Sequence, residues 1–192
     1  MPFQIGQRIV VIGTTGSGKT TLARQLAQKL ELTHVEIDSL HWGPDWIPVP
    51  DDAFRQRIRE ALPTERWVID GNYRKVRDII WPRAEAVIWL DYPLVVVLWR
   101  LLCRAIRRTA RQEILWSGNR ETWRKQFFSR ESLFLWAPQT HPRHRREYPV
   151  FFARPEHAHL QIVHLRSVQQ TKKWMDRVTA VVIPATNLPT KT

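Results

Sequence analysis

Cysteine is almost absent: the 192 residues include one, Cys103. No internal disulfide can form, and a reducing, cytoplasmic setting is the expectation. No basic region followed by an apolar core and a small-residue cleavage site opens the chain, so no secretory signal is expected. Long apolar runs are missing too. The most apolar window, residues 86–103, is broken by Asp91, Pro93 and Arg100, and reads as a buried strand entering a helix rather than a membrane span. His141, His144, His157, His159 and His164 lack companion cysteines and regular ligand spacing, which argues against a histidine metal centre. No N-K-x-D stretch is present, which argues against a guanine-reading regulatory GTPase. Internal repeats and low-complexity tracts are absent as well.

Charge is plentiful but unevenly placed. Residues 1–91 balance 12 Lys/Arg against 12 Asp/Glu, whereas residues 92–192 hold 18 against 6 and so carry the whole formal charge of +12. Such a half suits polyanions, whether nucleotide phosphates, nucleic acid or an acidic surface, or is simply a solvated basic face. The length fits one domain with an ample core. The 10 tryptophans are enough to line a binding surface as well as that core.

One stretch organises the rest. The β-branched run Ile9-Val10-Val11-Ile12 leads into Gly13-Thr14-Thr15-Gly16-Ser17-Gly18-Lys19-Thr20, which fits the phosphate-binding loop G-x-x-x-x-G-K-[ST]. Gly13, Gly16 and Gly18 permit a tight loop whose successive N–H groups point inward at phosphate oxygens. The following helix adds the positive end of its dipole. Lys19 supplies a mobile charge for the terminal phosphates, and the Thr20 hydroxyl is placed to ligate Mg²⁺. Gly13 to Thr21 is therefore the expected ATP-phosphate cradle.

The remaining chain alternates strands and helices. Strands are expected at 9–12, 33–37, 67–69, 86–90 and 160–165. Helices are expected at 19–30, after a cap at Asp51 or Asp52, at 93–112, at about 120–136, and from about 168 to 182. Residues 41–50 are too proline-rich for regular structure, and residues 138–149 look like an irregular connection. A parallel α/β sheet with right-handed crossovers follows. Its ligand site belongs at the carboxyl ends of the strands, where Asp38, Asp70 and Asp91 converge. Residues 1–183 form the expected domain, with an insertion at about 113–150 and a loose tail at 184–192. Arg100, Arg104, Arg107, Arg108 and Arg111 form one stripe of the long helix.

With these features in place, the chain resembles the adenylate kinase-like P-loop kinases. Asp70-Gly71-Asn72-Tyr73-Arg74 is similar to their D-G-F-P-R signature, although Phe and Pro are replaced. Leu101-x-x-Arg104-x-x-x-Arg108 resembles the helix that leads into their lid. Within that group, Asp38-x-x-His41-Trp42-x-Pro44-x-Trp46, the W-V-I-D-G-N-Y run and A-V-I-W-L-D resemble DNA topology modulation proteins of FlaR type. The resemblance implies a three-layer P-loop NTPase fold, nucleoside monophosphate kinase-like, with a five-stranded parallel sheet and a helical, arginine-rich lid. It further implies that Asp70 holds Mg²⁺ or its water shell and that Arg74 grips the acceptor. Arg104 and Arg108 would meet ATP phosphates, and a lid arginine (Arg124, beside Arg120 and Arg130) would steady the transferring phosphoryl group. Arg166-Ser167 would lie near adenine.

Asp38 then reads as acceptor base, metal-shell member or simple cap. His41, Trp42 and Trp46 read either as a stacking platform for a planar acceptor or as packing of the proline-rich loop. Two functions follow. The favoured one is an ATP- and Mg²⁺-dependent kinase acting on a nucleotide or nucleoside-like acceptor. The other is an ATP-dependent protein that docks nucleic acid on its basic half.

Overall fold

A computed structural model describes residues 2–62, 65–111, 116–119 and 133–180. Its central sheet has five strands: β2 (Arg8–Gly13), β3 (Thr33–Glu36), β4 (Trp67–Asp70), β5 (Ala86–Leu90) and β6 (Gln161–Leu165). They run in the order β3-β4-β2-β5-β6, with every pairing parallel. β2, β4 and β5 are buried along almost their whole length, as central parallel strands covered on both faces must be. The expected α/β architecture and five strands are therefore present.

Helices cover both faces. On one side, α1 (Lys19–Leu30) buries Leu22, Ala23, Leu26 and Leu30, and α5 (Leu94–Arg111) contributes Val97 and Leu101. On the other, α3 (Asp51–Ala61) buries Phe54 and Ile58 beside Trp67, Ile69 and Trp81. Burying each such side chain fully contributes about 1.5–3 kcal/mol relative to leaving it in water. The short helices α2 (Ile37–His41) and α4 (Arg77–Ile80) follow the ends of β3 and β4. Asp38 thus sits in the first turn of a helix rather than closing the strand. Pro50, not an aspartate side chain, caps α3.

Two expectations need correction. Residues 138–149 are not irregular: they belong to α6 (Leu133–Phe152), which carries Pro138, Pro142 and Pro149 inside it. Proline removes a helical donor and crowds the preceding turn. All three, however, lie on the exposed side, where freed carbonyls meet water, while Ala137, Thr140, His141 and Tyr148 bury the opposite side. The Thr140 hydroxyl also donates to the Trp136 carbonyl at 2.8 Å. Burial outweighs propensity here.

The last helix also stops early. α7 (Val168–Arg177) gives way to β7 (Val178–Ala180), which pairs in parallel with β1 (Phe3–Ile5). The calls on Arg120, Arg124 and Arg130, on the helix at 120–132, on residues 113–115 of the insertion and on the tail lie outside the described residues. No described helix is long and apolar enough to cross a membrane.

Candidate active site at the strand ends

The loop from Gly13 to Lys19 leaves β2 between its neighbours β4 and β5. Gly16 has φ 79° and Gly18 has φ 94°, angles a side-chain-bearing residue rarely adopts. A Cβ on Gly16 would also stand 2.6 Å from Leu101 Cγ. The Ser17 amide closes the turn onto the Thr14 carbonyl at 3.0 Å. Arg100 of α5 donates to the Ser17 carbonyl at 2.7 Å and lies over the Tyr92 ring at 5.0 Å. This arginine therefore braces the loop from outside.

Lys19 Nζ reaches the Thr14 carbonyl at 3.3 Å. Burial lowers its pKa, opposed by the nearby charges of Asp38, Asp70 and Glu36. Thr20 Oγ1 donates to Asp70 Oδ1 at 2.8 Å and lies 3.4 Å from Glu36 Oε1. His34 Nε2 meets the other Asp70 oxygen at 2.7 Å. Asp70 is buried, 3 % exposed. Burial and the facing Asp70 push the Glu36 carboxyl above its ordinary range. Among the described residues no group of three or more His, Cys, Asp or Glu side chains is arranged to hold a metal by itself, but the Asp70 carboxylate and the Thr20 hydroxyl are oxygen donors of the kind a hard divalent cation takes, and a cation would relieve the repulsion between Asp70 and Glu36. Thr20 and Asp70 fit Mg²⁺ on that ground.

Asp38 lies beside this group and accepts a hydrogen bond from the Tyr73 hydroxyl at 2.6 Å. Burial, followed by the Asp38 charge, drives the Tyr73 pKa well above the usual phenol range, so the hydroxyl stays a donor. An open cleft of about 1790 Å³ adjoins part of this group. Lys19, Thr20, Glu36 and Asp38 line one part of it, and Arg100, Arg104, Arg107 and Arg108 of α5 line another.

Other expected residues sit elsewhere. His41 is buried, its ring packed against Trp42, Phe54 and Tyr73 at 4.7, 4.9 and 4.6 Å. Trp42 and Trp46 pack at 5.9 Å, with Trp46 6.2 Å from Trp116. Asn119 ties that loop down through the Gly43 carbonyl and the Trp46 amide. Arg74 is exposed and paired with Glu147 of α6 at 2.8 Å. Asp91 holds α6 and β6 together, bound to Arg145 at 2.6 Å and His164 at 3.0 Å. Ser167 caps α7, accepting from the Gln170 amide at 3.1 Å.

Sequence reasoning missed His34, Glu36 and Tyr73. His34, Glu36 and Asp38 alternate at the two-residue period, and on β3 the first two share the side that meets Asp70. That alternation was the available signal. Tyr73 gave none, since its partner lies 35 positions away.

Residues 9–91 match the family model described as ATPase family associated with various cellular activities (AAA), which covers less than half of the chain. Shikimate kinase from Bacteroides thetaiotaomicron superposes with a TM-score of 0.53 at 16 % identity, covering 88 % of this chain and 94 % of that one. The chain has the P-loop kinase fold. Two curated relatives are similar in sequence. Uncharacterized protein YqaC of Bacillus subtilis is 26 % identical over 130 residues, which is 67 % of this chain and 72 % of that protein. Shikimate kinase of Synechococcus elongatus is 31 % identical over 110 residues, which is 50 % of this chain and 58 % of that enzyme. The chain thus spans little more than half the length of that kinase.

Proposed function

We propose that the protein is an ATP-dependent small-molecule kinase, moving the γ-phosphoryl group to a hydroxyl of a nucleoside-like acceptor. The observation that carries this reading is the joining of the phosphate loop to Asp70 through Thr20 at 2.8 Å, with Asp38 in the first turn of α2 lining the same cleft as Thr20. A regulatory or purely structural glycine turn has no use for an acceptor-side carboxylate there.

Gly13 to Thr21 would cradle the ATP phosphates with backbone N–H groups, and Lys19 would add its charge at the terminal phosphates. Arg104 and Arg108 would neutralise the donor from α5, and Arg124 would complete the charge from the lid. Thr20 and Asp70 would hold Mg²⁺, which when bound offsets charge on the phosphate oxygens. Asp38, held by Tyr73, would orient the acceptor hydroxyl and take its proton. No large pKa shift is needed, because phosphoryl transfer depends chiefly on positioning and charge neutralisation. His41 packs on the ring of Tyr73 at 4.6 Å and so would help to hold the hydroxyl that binds Asp38, and Trp42 and Trp46 would pack the proline-rich loop beside it.

ADP release measured with and without candidate acceptors tests the reading. An acceptor-dependent rise that Lys19→Ala abolishes supports it; ATP consumption indifferent to every acceptor and to Lys19 would sink it. The nucleic-acid reading rests on the +12 half alone. It is the lesser one because four arginines of that half line the cleft beside the phosphate loop. Oligonucleotide binding that falls steeply between ~50 and ~200 mM salt would favour it instead.

A further inference from the structure

The sequence offered His41, Trp42 and Trp46 as a stacking platform, but their rings pack on one another and on Phe54. Among the described residues they do not line the cleft. Trp116 does, together with Lys19, Thr20, Glu36 and Asp38. The turn Trp116–Gly118 packs against α2, which carries Asp38, and against the turn Pro44–Trp46. Trp116 is half-buried. Trp46 meets its ring in a T arrangement, at 6.2 Å and 89°, rather than stacked over it. A flat face of the indole is thus left for a ligand.

Three hydrogen bonds hold this turn in place. Asn119, 6 % exposed, donates to the Gly43 carbonyl at 2.8 Å and accepts from the Trp46 amide at 3.1 Å. The Ser117 hydroxyl donates to the Trp42 carbonyl at 2.8 Å. The contact is made against backbone preference. Four described residues with side chains have positive φ, and Glu31 among them ends α1. The other three meet here: Asp45 at 57°, Trp46 at 61° and Ser117 at 56°. Such angles persist only where surrounding contacts over-determine them, and they concentrate at active sites and ligand clamps.

Resting on the kinase reading above, we infer that Trp116 is a specificity-determining residue of the acceptor site, with a nucleobase lying against its indole while a sugar hydroxyl reaches Asp38. Asn119 and Ser117 are positioning residues that hold the indole there. The chemistry selects an acceptor that is flat at one end and hydroxylated at the other. An acyclic polyol has no π face to offer. Every base has one, so purine and pyrimidine nucleosides both qualify.

The test gives the full-length protein ATP·Mg²⁺ with adenosine, cytidine or, as the acyclic comparison, sorbitol, and ADP release yields kcat and KM. Nucleoside binding is followed separately by quenching of tryptophan fluorescence beside a non-hydrolysable ATP analogue, with Trp116→Phe identifying the share from this indole. Trp116→Leu should raise the nucleoside KM about tenfold, with a much smaller change in the KM for ATP. Trp116→Phe keeps a ring and should restore most of the loss. Asn119→Ala and Ser117→Gly should raise the same KM severalfold. A nucleoside KM unchanged in a folded Trp116→Leu would overturn the inference and leave the kinase reading in place. So would sorbitol as the productive acceptor with both nucleosides inert. If the leucine variant folds poorly, quenching that is identical in wild type and Trp116→Phe would overturn it instead. Quenching carried by Trp116 without any acceptor-dependent ADP release would support the nucleoside subsite and remove the kinase reading. With neither quenching nor ADP release from any of the three compounds, both fall.

Discussion

At the scale of single residues, the proposed site rests on a few atoms, and each can be tested by a single substitution. Lys19→Ala removes the only charge delivered into the loop by its own helix, and ATP turnover should fall by about 10²–10³. The circular dichroism melt should hardly move, because the lysine lies at the helix start rather than in the core; retained turnover would refute its role. Asp70→Asn keeps a partner for the Thr20 hydroxyl but loses the charge beside it. The Mg²⁺-dependent rate should drop by about tenfold or more, with an increased Mg²⁺ requirement. A titration of rate against Mg²⁺ that is superimposable on wild type would exclude the assignment. Gly18→Ala forces φ 94° on a residue that resists it and sets a Cβ 2.9 Å from Arg100 Nη1. Stability should fall by about 1–3 kcal/mol by urea denaturation. Much of this layer was legible in the sequence, because the loop motif fixes residue type and spacing together. Tyr73 and His34 were not, because each acts on a carboxylate 35 or 36 positions away, and only the sheet order brings them together.

At the scale of elements, α6 is the instructive case. Proline content predicts irregular chain at 138–149, yet the helix forms because its prolines share the exposed side and its buried side is held by Asp91–Arg145 and the His141–Tyr92 carbonyl bond. Local propensity could not register those distant partners. The two-strand pair β1–β7 escaped for a different reason: three-residue strands are too short to show a period. α6 also carries a pH dependence. His144 stacks on Tyr148 at 4.7 Å, and burial, with Arg143 and Lys19 nearby, lowers its pKa to about 4. The folded state thus prefers the neutral ring, while the unfolded chain protonates near the ordinary value of about 6.5. Stability from this group is complete above that value and is lost as pH falls toward 4. After discounting for partial exposure, the loss should be on the order of 1 kcal/mol. Urea midpoints of wild type and His144→Gln should converge as pH falls from 7 to 4.5. A constant difference would contradict the assignment.

At the scale of the whole molecule, the order β3-β4-β2-β5-β6 sets the phosphate loop between Asp70 on one side and the arginines of α5 on the other. Alternating strands and helices made the parallel sheet and its ligand-bearing strand ends readable from the sequence, but not the strand order, which depends on pairings between distant segments. The division of charge follows the same line: the balanced half supplies the loop and its carboxylates, and the basic half supplies the arginines that face the cleft. The comparisons carry that fold and leave the FlaR-type likeness as an expectation from sequence motifs. The central claim is transfer of phosphoryl to a hydroxyl rather than to water. Phosphorus NMR of the protein with ATP, Mg²⁺ and a panel of nucleoside, nucleotide and small hydroxy-acid acceptors tests it most directly. The account predicts a phosphomonoester resonance growing in step with ADP and absent in Lys19→Ala. ADP accompanied only by inorganic phosphate, whichever acceptor is present, would contradict it.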